Sequence, residues 1–174
     1  MGRGSRFLLG GSKLLPSKEH RQIAGALDEG LEEIERRLRR ELSYTNDIAD
    51  SVSRYLFDAG GKRIRPLLTL LTSQWGEGIT EETLIAGQVV ELTHLATLYH
   101  DDVMDEASQR RGVTTAHKVW SNSVAILAGD LLFARAGSLG VVLGEAAMRR
   151  QTETFEQLVL GQMAETVGPT SGAN

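Results

Sequence analysis

Residues 91–112 read ELTHLATLYHDDVMDEASQRRG, an apolar helical segment that ends in a cluster of acids and, five residues beyond the last aspartate, a pair of arginines. The segment belongs to a longer apolar run, IAGQVVELTHLATLYH (85–100). Thr80 is placed to cap its helix, and Glu81 and Glu82 in the first turn suit the positive end of the helix dipole. The helix then carries its aspartates near the other, negative end. Carboxylates are unfavourable there on dipole grounds, so a chain that keeps them gains from holding a cation at that point.

Outward from this stretch the pattern stays helical. Ile23, Leu27, Leu31, Ile34, Leu38 and Leu42 recur every three or four residues from residue 20 onward and predict a helix with one apolar stripe. A second helix is expected from a cap at Asn46 or Asp47, through Ile48, Val52, Tyr55 and Leu56, to the break at Gly60-Gly61. Pro66 is expected as the first residue of a third, closed by Gly76 and Gly78. Two more are expected at 123–139 and 145–166. No stretch alternates as a strand would, so the class is all-α, an antiparallel helical bundle with short loops. Residues 1–18, with four basic residues and no acid, are expected to form a flexible basic arm whose apolar runs are too short for a signal peptide. Residues 19–174 then make one domain, with a turn-like tail GPTSGAN.

Composition narrows the function classes. A net charge of −4 and the lack of a basic run interleaved with aromatics exclude a nucleic-acid binder. No window reads as the roughly 20 apolar residues of a transmembrane span. The chain has no cysteine, which removes thiolate chemistry and suits a reducing compartment; the cytoplasm is the expected location.

The acids and bases carry the chemistry. Asp101 and Asp105 are four residues apart and Asp102 precedes Asp105 by three, so on a helix all three are expected to converge on one ledge. A hard divalent cation relieves their repulsion, and Mg²⁺ held by one or two carboxylates with water and phosphate oxygens fits better than a tetrahedral zinc cage. For a lone DxxxD a solvated helix end is the ordinary explanation. Here Arg110 and Arg111 follow, and a guanidinium fork matches phosphate oxygens, although an Asp105–Arg110 ion pair would also account for them. GGKRIRP (60–66) adds a second basic element after a glycine turn.

Together, GGKRIRP (60–66), ELTHLATLYHDDVMDEASQRRG (91–112), WSNSVAILAGD (120–130) and the GQ pair at 161–162 resemble the N-terminal half of a trans-isoprenyl diphosphate synthase, in the polyprenyl synthetase family. The resemblance runs in family order over roughly residues 20–170 and implies the isoprenoid synthase fold. It implies that Asp101 and Asp105 bind Mg²⁺ with Asp102 in support. It also implies that Arg110 holds an allylic diphosphate and that Lys62, Arg65, His94 and Arg111 bind isopentenyl diphosphate. In that family the C–O bond of the allylic diphosphate breaks, the alkene of isopentenyl diphosphate attacks the cation, and a proton is lost to the released pyrophosphate. The growing tail runs along the helix before the aspartates. Its floor is then expected at Ala96 and Thr97, with Thr93 and Val89 further back; all are modest in size, which implies a product longer than farnesyl.

The family's second aspartate-rich motif is not found in these 174 residues. The expectation is that the isolated chain is inactive and that a partner chain supplies the second motif, with a homo-oligomer as the competing assembly. A non-catalytic diphosphate-binding or regulatory subunit, or a helical interaction module, are the alternatives.

Overall fold

The structure, a computed structural model, describes residues 18–168. The arm expected at 1–18 lies, except for Lys18, outside the described residues, as does the tail after Gly168. Lys18 itself opens a helix.

That helix is α1 (Lys18–Glu41), followed by α2 (Asp47–Asp58), α3 (Ile64–Ser73) and α4 (Glu81–Met104). After α4 come two short strands, β1 (Gln109–Arg110) and β2 (Val113–Thr114), then α5 (Ala116–Val119), α6 (Asn122–Gly140), a 3₁₀ turn (141–143) and α7 (Glu145–Val167). The all-α class holds. Periodicity places the bounds of α1, α6 and α7 to within about two residues, the usual scatter at frayed helix ends.

Local chemistry explains the ends. The Asn46 side chain accepts from the Ala49 N–H, and Thr80 and Thr83 form a reciprocal capping box at the start of α4. α3 starts at Ile64, not at Pro66. Arg63 caps it in a left-handed conformation (φ 48°), and Pro66 occupies the third helical position, where its missing N–H is still no loss.

The β1–β2 ribbon is absent from the sequence reading because two residues per strand leave no alternation to detect. Its turn residues Arg111 (φ 53°) and Gly112 (φ 80°) are both left-handed, the requirement of a tight two-residue hairpin. The Tyr55 hydroxyl pins the ribbon to α2 through the Thr114 carbonyl at 2.7 Å.

α4 is the central helix. Leu92, Leu95, Ala96 and Tyr99 are fully buried, and α4 packs most extensively on α6, then on α3 and α1. The contact with α6 is close enough that a side chain at Gly129 would strike the His100 ring and approach the Ala96 carbonyl. α6 also corrects one expectation. By length and composition, 122–143 is apolar enough to cross a membrane. The stretch nevertheless contains Asp130 and Arg135, and its Ala125, Ala128, Leu132 and Ala136 face is packed in the core.

Candidate diphosphate and metal site

The end of α4 divides its acids. Asp102 points into the protein, 1% exposed; its Oδ1 accepts from Nε of Arg110 at 2.7 Å and lies 2.7 Å from Nη2 of the same guanidinium. Asp101 is half-buried and Asp105, the C-cap, is exposed. The three carboxylates therefore do not converge, because the helical step between residues 101 and 102 turns the second inward. The ledge consists of Asp101 and Asp105. Arg110 pairs with Asp102 and not with Asp105. The helix closes over the ledge with Glu106 left-handed (φ 50°), its N–H bonded to Val103 O and that of Ala107 to Asp102 O at 3.0 Å.

Burial and then the charge of Asp105 push the Asp101 carboxyl above the usual carboxylate range, a strain that a cation between the two would relieve. No cluster of three or more His, Asp or Glu able to hold a metal occurs among the described residues. Two carboxylates with open positions fit Mg²⁺, which keeps water and phosphate oxygens as its other ligands.

The basic elements meet one another. A side chain at Gly61 would lie 2.7 Å from Arg63 Nη1 and 2.9 Å from Arg111 Cζ, so the 60–66 loop and the hairpin arginine share one niche, and Gly61 (φ 147°) is required for both space and conformation. Arg111 donates from Nη1 to the Leu56 carbonyl at 2.9 Å and to the Gly60 carbonyl. The Arg65 guanidinium makes no hydrogen bond or ion pair among the described residues, although its carbonyl accepts from the Thr69 hydroxyl at 3.0 Å. His94 faces this cationic group: burial, then the charges of Arg65, Arg111, Arg110 and Arg63, hold its imidazole down to about 4. Of these arginines, Arg63 is paired with Glu35 and Glu91 and Arg110 with Asp102, which leaves Arg65 and Arg111 as the cations beside the neutral imidazole that have no carboxylate partner among the described residues.

Arg65, His94, Thr97 and Asp101 are among the residues lining a cleft of about 700 Å³. The same cleft is lined by Ile126 and Phe133 of α6 and by Phe155, Leu158, Val159 and Met163 of α7, with Gln162 of the GQ pair among them. His100, Phe133 and Phe155 form successive edge and tilted ring contacts, with centroids 5.6 and 4.8 Å apart.

Some expected site residues stand elsewhere. Lys62 lines a separate groove with Leu27, Leu31 and Leu67. Ala96 is fully buried in the core and does not reach the cleft, while Thr93 accepts a hydrogen bond from Gln151 Nε2 at 3.2 Å. Thr97 is the one expected floor residue on the cleft wall. The sequence reading missed Arg63 and Glu91, a pair joined at 3.2 Å, with Glu91 2% exposed. The available signal was that Glu91 lies one helical turn before His94, on an otherwise apolar helix.

The profile of the polyprenyl synthetase family matches residues 46–172. The chain is 46% identical over 153 residues to a nonaprenyl diphosphate synthase of Mycobacterium tuberculosis, covering 87% of this chain and 46% of that protein. It is 39% identical over 110 residues to heptaprenyl diphosphate synthase component 2 of Geobacillus stearothermophilus, covering 63% of this chain and 34% of that one. Among solved structures it resembles the geranylgeranyl pyrophosphate synthase of Corynebacterium glutamicum complexed with calcium and isoprenyl diphosphate. The TM-score is 0.75 at 47% identity, over 86% of this chain and 46% of that one. An isoprenoid synthase family member from Thermotoga neapolitana matches with a TM-score of 0.76 at 34% identity, over 82% and 57%. The chain spans about half the length of the curated relatives it matches.

Proposed function

The chain belongs to the polyprenyl synthetase family, and from that premise we propose that it forms the first-aspartate-motif half of a trans-prenyltransferase. The enzyme condenses isopentenyl diphosphate with an allylic diphosphate to give a product longer than farnesyl. The observation that carries this reading is the cleft itself. Its lining joins Arg65, His94 and Asp101 with hydrocarbon side chains of α6 and α7, a composition suited to an anionic head and a prenyl tail.

Asp101 and Asp105 would hold Mg²⁺, whose chemistry is to neutralise the diphosphate that leaves. Arg110, aimed by Asp102, keeps one terminal nitrogen free for the allylic diphosphate and opposes the charge that grows on it as the C–O bond breaks. Arg65, Arg111 and His94 bind isopentenyl diphosphate and fix its alkene for attack, whereas Lys62, on a separate groove, does not reach it from its present position. Ile126 and Phe133 exclude water from the cationic carbon, and the proton lost afterwards goes to the released pyrophosphate. Thr97 leaves the tail room to pass along α4. The modest size of that wall supports a long product, as does the nonaprenyl product named for the Mycobacterium tuberculosis relative.

The two-carboxylate ledge grips a diphosphate from one side. We therefore propose that the opposing carboxylates come from a second aspartate-rich polypeptide in an assembled cytoplasmic enzyme; the name of the Geobacillus relative, a component 2, supports a multi-chain assembly and does not itself say where the second motif lies. The test is prenyl transfer from labelled isopentenyl diphosphate with an allylic primer and Mg²⁺, using the chain alone and mixed with a polypeptide carrying the second motif. Activity only in the mixture is expected. Turnover by the chain alone overturns the two-part reading. Silence in both with Mg²⁺-dependent pyrophosphate binding makes the chain a diphosphate-binding subunit.

A further inference from the structure

Arg63 spends every N–H of its guanidinium inside the fold. Nε donates to Glu35 Oε2 at 2.7 Å and Nη2 to Glu35 Oε1 at 3.3 Å and Phe57 O at 3.2 Å. Nη1 donates to Glu91 Oε1 at 3.2 Å and Gly60 O at 3.3 Å. The guanidinium also lies 4.5 Å from the centroid of the Phe57 ring. The middle base of the 60–66 loop thus has no donor left for a ligand, whereas the side chains of its neighbours Lys62 and Arg65 make no hydrogen bond or ion pair among the described residues.

Glu91 is the buried member of this set. It sits on α4 one turn before His94, among Arg63, Arg65 and Arg111. As a bare charge it opposes the binding of any anion at that place, and removing it would strengthen binding. Its geometry does something else: it ties the left-handed Arg63, and with it the loop, to the central helix. We propose that Glu91 is a positioning residue for the diphosphate site. Through Arg63 it fixes the 60–66 loop so that the Arg65 side chain stands free beside His94 and Arg111, held through Nη1 on the Leu56 and Gly60 carbonyls, keeps its other donors for the ligand; neither Glu91 nor Arg63 touches the ligand. The proposal rests on reading the niche as a diphosphate site.

Charge and position predict opposite signs, which makes the test direct. Inorganic pyrophosphate is titrated calorimetrically into the full chain and its Glu91→Gln and Arg63→Lys variants. Amide hydrogen exchange of residues 60–65 and thermal melting are measured alongside. The expected result is affinity weakened about tenfold or more in both variants, as when groups that orient binding residues are lost. Exchange at 60–65 should quicken about tenfold while the core of α4 stays protected and melting stays cooperative. Unchanged or tighter pyrophosphate binding by Glu91→Gln overturns the proposal, as does unchanged loop exchange. Should Glu91→Gln fail to fold, Arg63→Lys, which keeps the charge and loses the fork, carries the same test. If the wild-type chain takes up no pyrophosphate, the diphosphate reading fails and loop exchange alone decides whether Glu91 orders the loop.

Discussion

His94 shows what the niche does to a single group. The folded chain holds its imidazole down at about 4, while an unfolded one titrates near 6.5. Between those values the unfolded chain binds the extra proton. Stability is therefore full above about pH 6.5 and falls as the pH drops towards 4, with a slope of at most about 1.4 kcal/mol per pH unit and less where solvent reaches the half-buried ring. Urea denaturation between pH 4 and 7 should show this part of the slope in the wild type and not in His94→Asn. Bound pyrophosphate should raise the His94 titration, because it cancels the arginine charges; the imidazole proton resonance followed against pH reports the shift. At the ledge, replacing Asp101 and Asp105 together with alanine should abolish Mg²⁺-dependent pyrophosphate binding with little change in melting, since both lie at a helix end outside the core. The ledge was legible in the sequence because its chemistry is local, four residues on one helix. The inward turn of Asp102 and the Arg63–Glu91 pair were not, because each depends on a partner that only folding brings near. Glu91 and Asp102 lie eleven residues apart, about three helical turns, so one buried face of α4 holds one arginine from each basic element.

The helices were legible for a different reason. α1, α2 and α3 each bury a stripe whose spacing is written in the sequence, and α2 and α4 have side-chain caps at their starts. α4 is the exception in degree: it is buried nearly all round, so its place at the centre follows from packing and not from one stripe. Its contacts make it the most sensitive element. Leu95 is 0% exposed, and Leu95→Ala should lose about 2–5 kcal/mol by transfer and cavity costs, read from chemical denaturation. Thr80→Ala, which removes the capping box at the exposed start of the same helix, should cost about 1 kcal/mol. A larger loss at Thr80 than at Leu95 would place the stability of α4 in its cap instead of its packing. The hairpin 109–114 escaped the pattern because its order comes from two left-handed turn residues and from Tyr55, none of which leaves a periodic trace.

Over the whole molecule, the uneven cover of the bundle decides behaviour in solution. α7 has no buried residue, and its Leu158, Leu160, Met163 and Val167 are more than half exposed, as is Leu127 of α6. This also explains why 122–143 has the composition of a membrane span: α6 serves the core with one face and presents further apolar side chains on another. Each such side chain is worth about 1.5–3 kcal/mol when fully buried, and an uncovered group of them drives association. The 19.0 kDa chain on its own is therefore expected to sediment as an assembly larger than one copy. Leu127→Glu with Leu160→Glu should shift it towards the monomer. Neither residue lines the cleft, so pyrophosphate affinity should stay within about twofold, the spread of distant substitutions without shared partners. Sedimentation as a monomer at tens of micromolar, with no binding of an apolar dye, would show that these faces close on one another within a single chain. In that case the cleft between α4, α6 and α7, with Thr97 on its wall, would be narrower in solution.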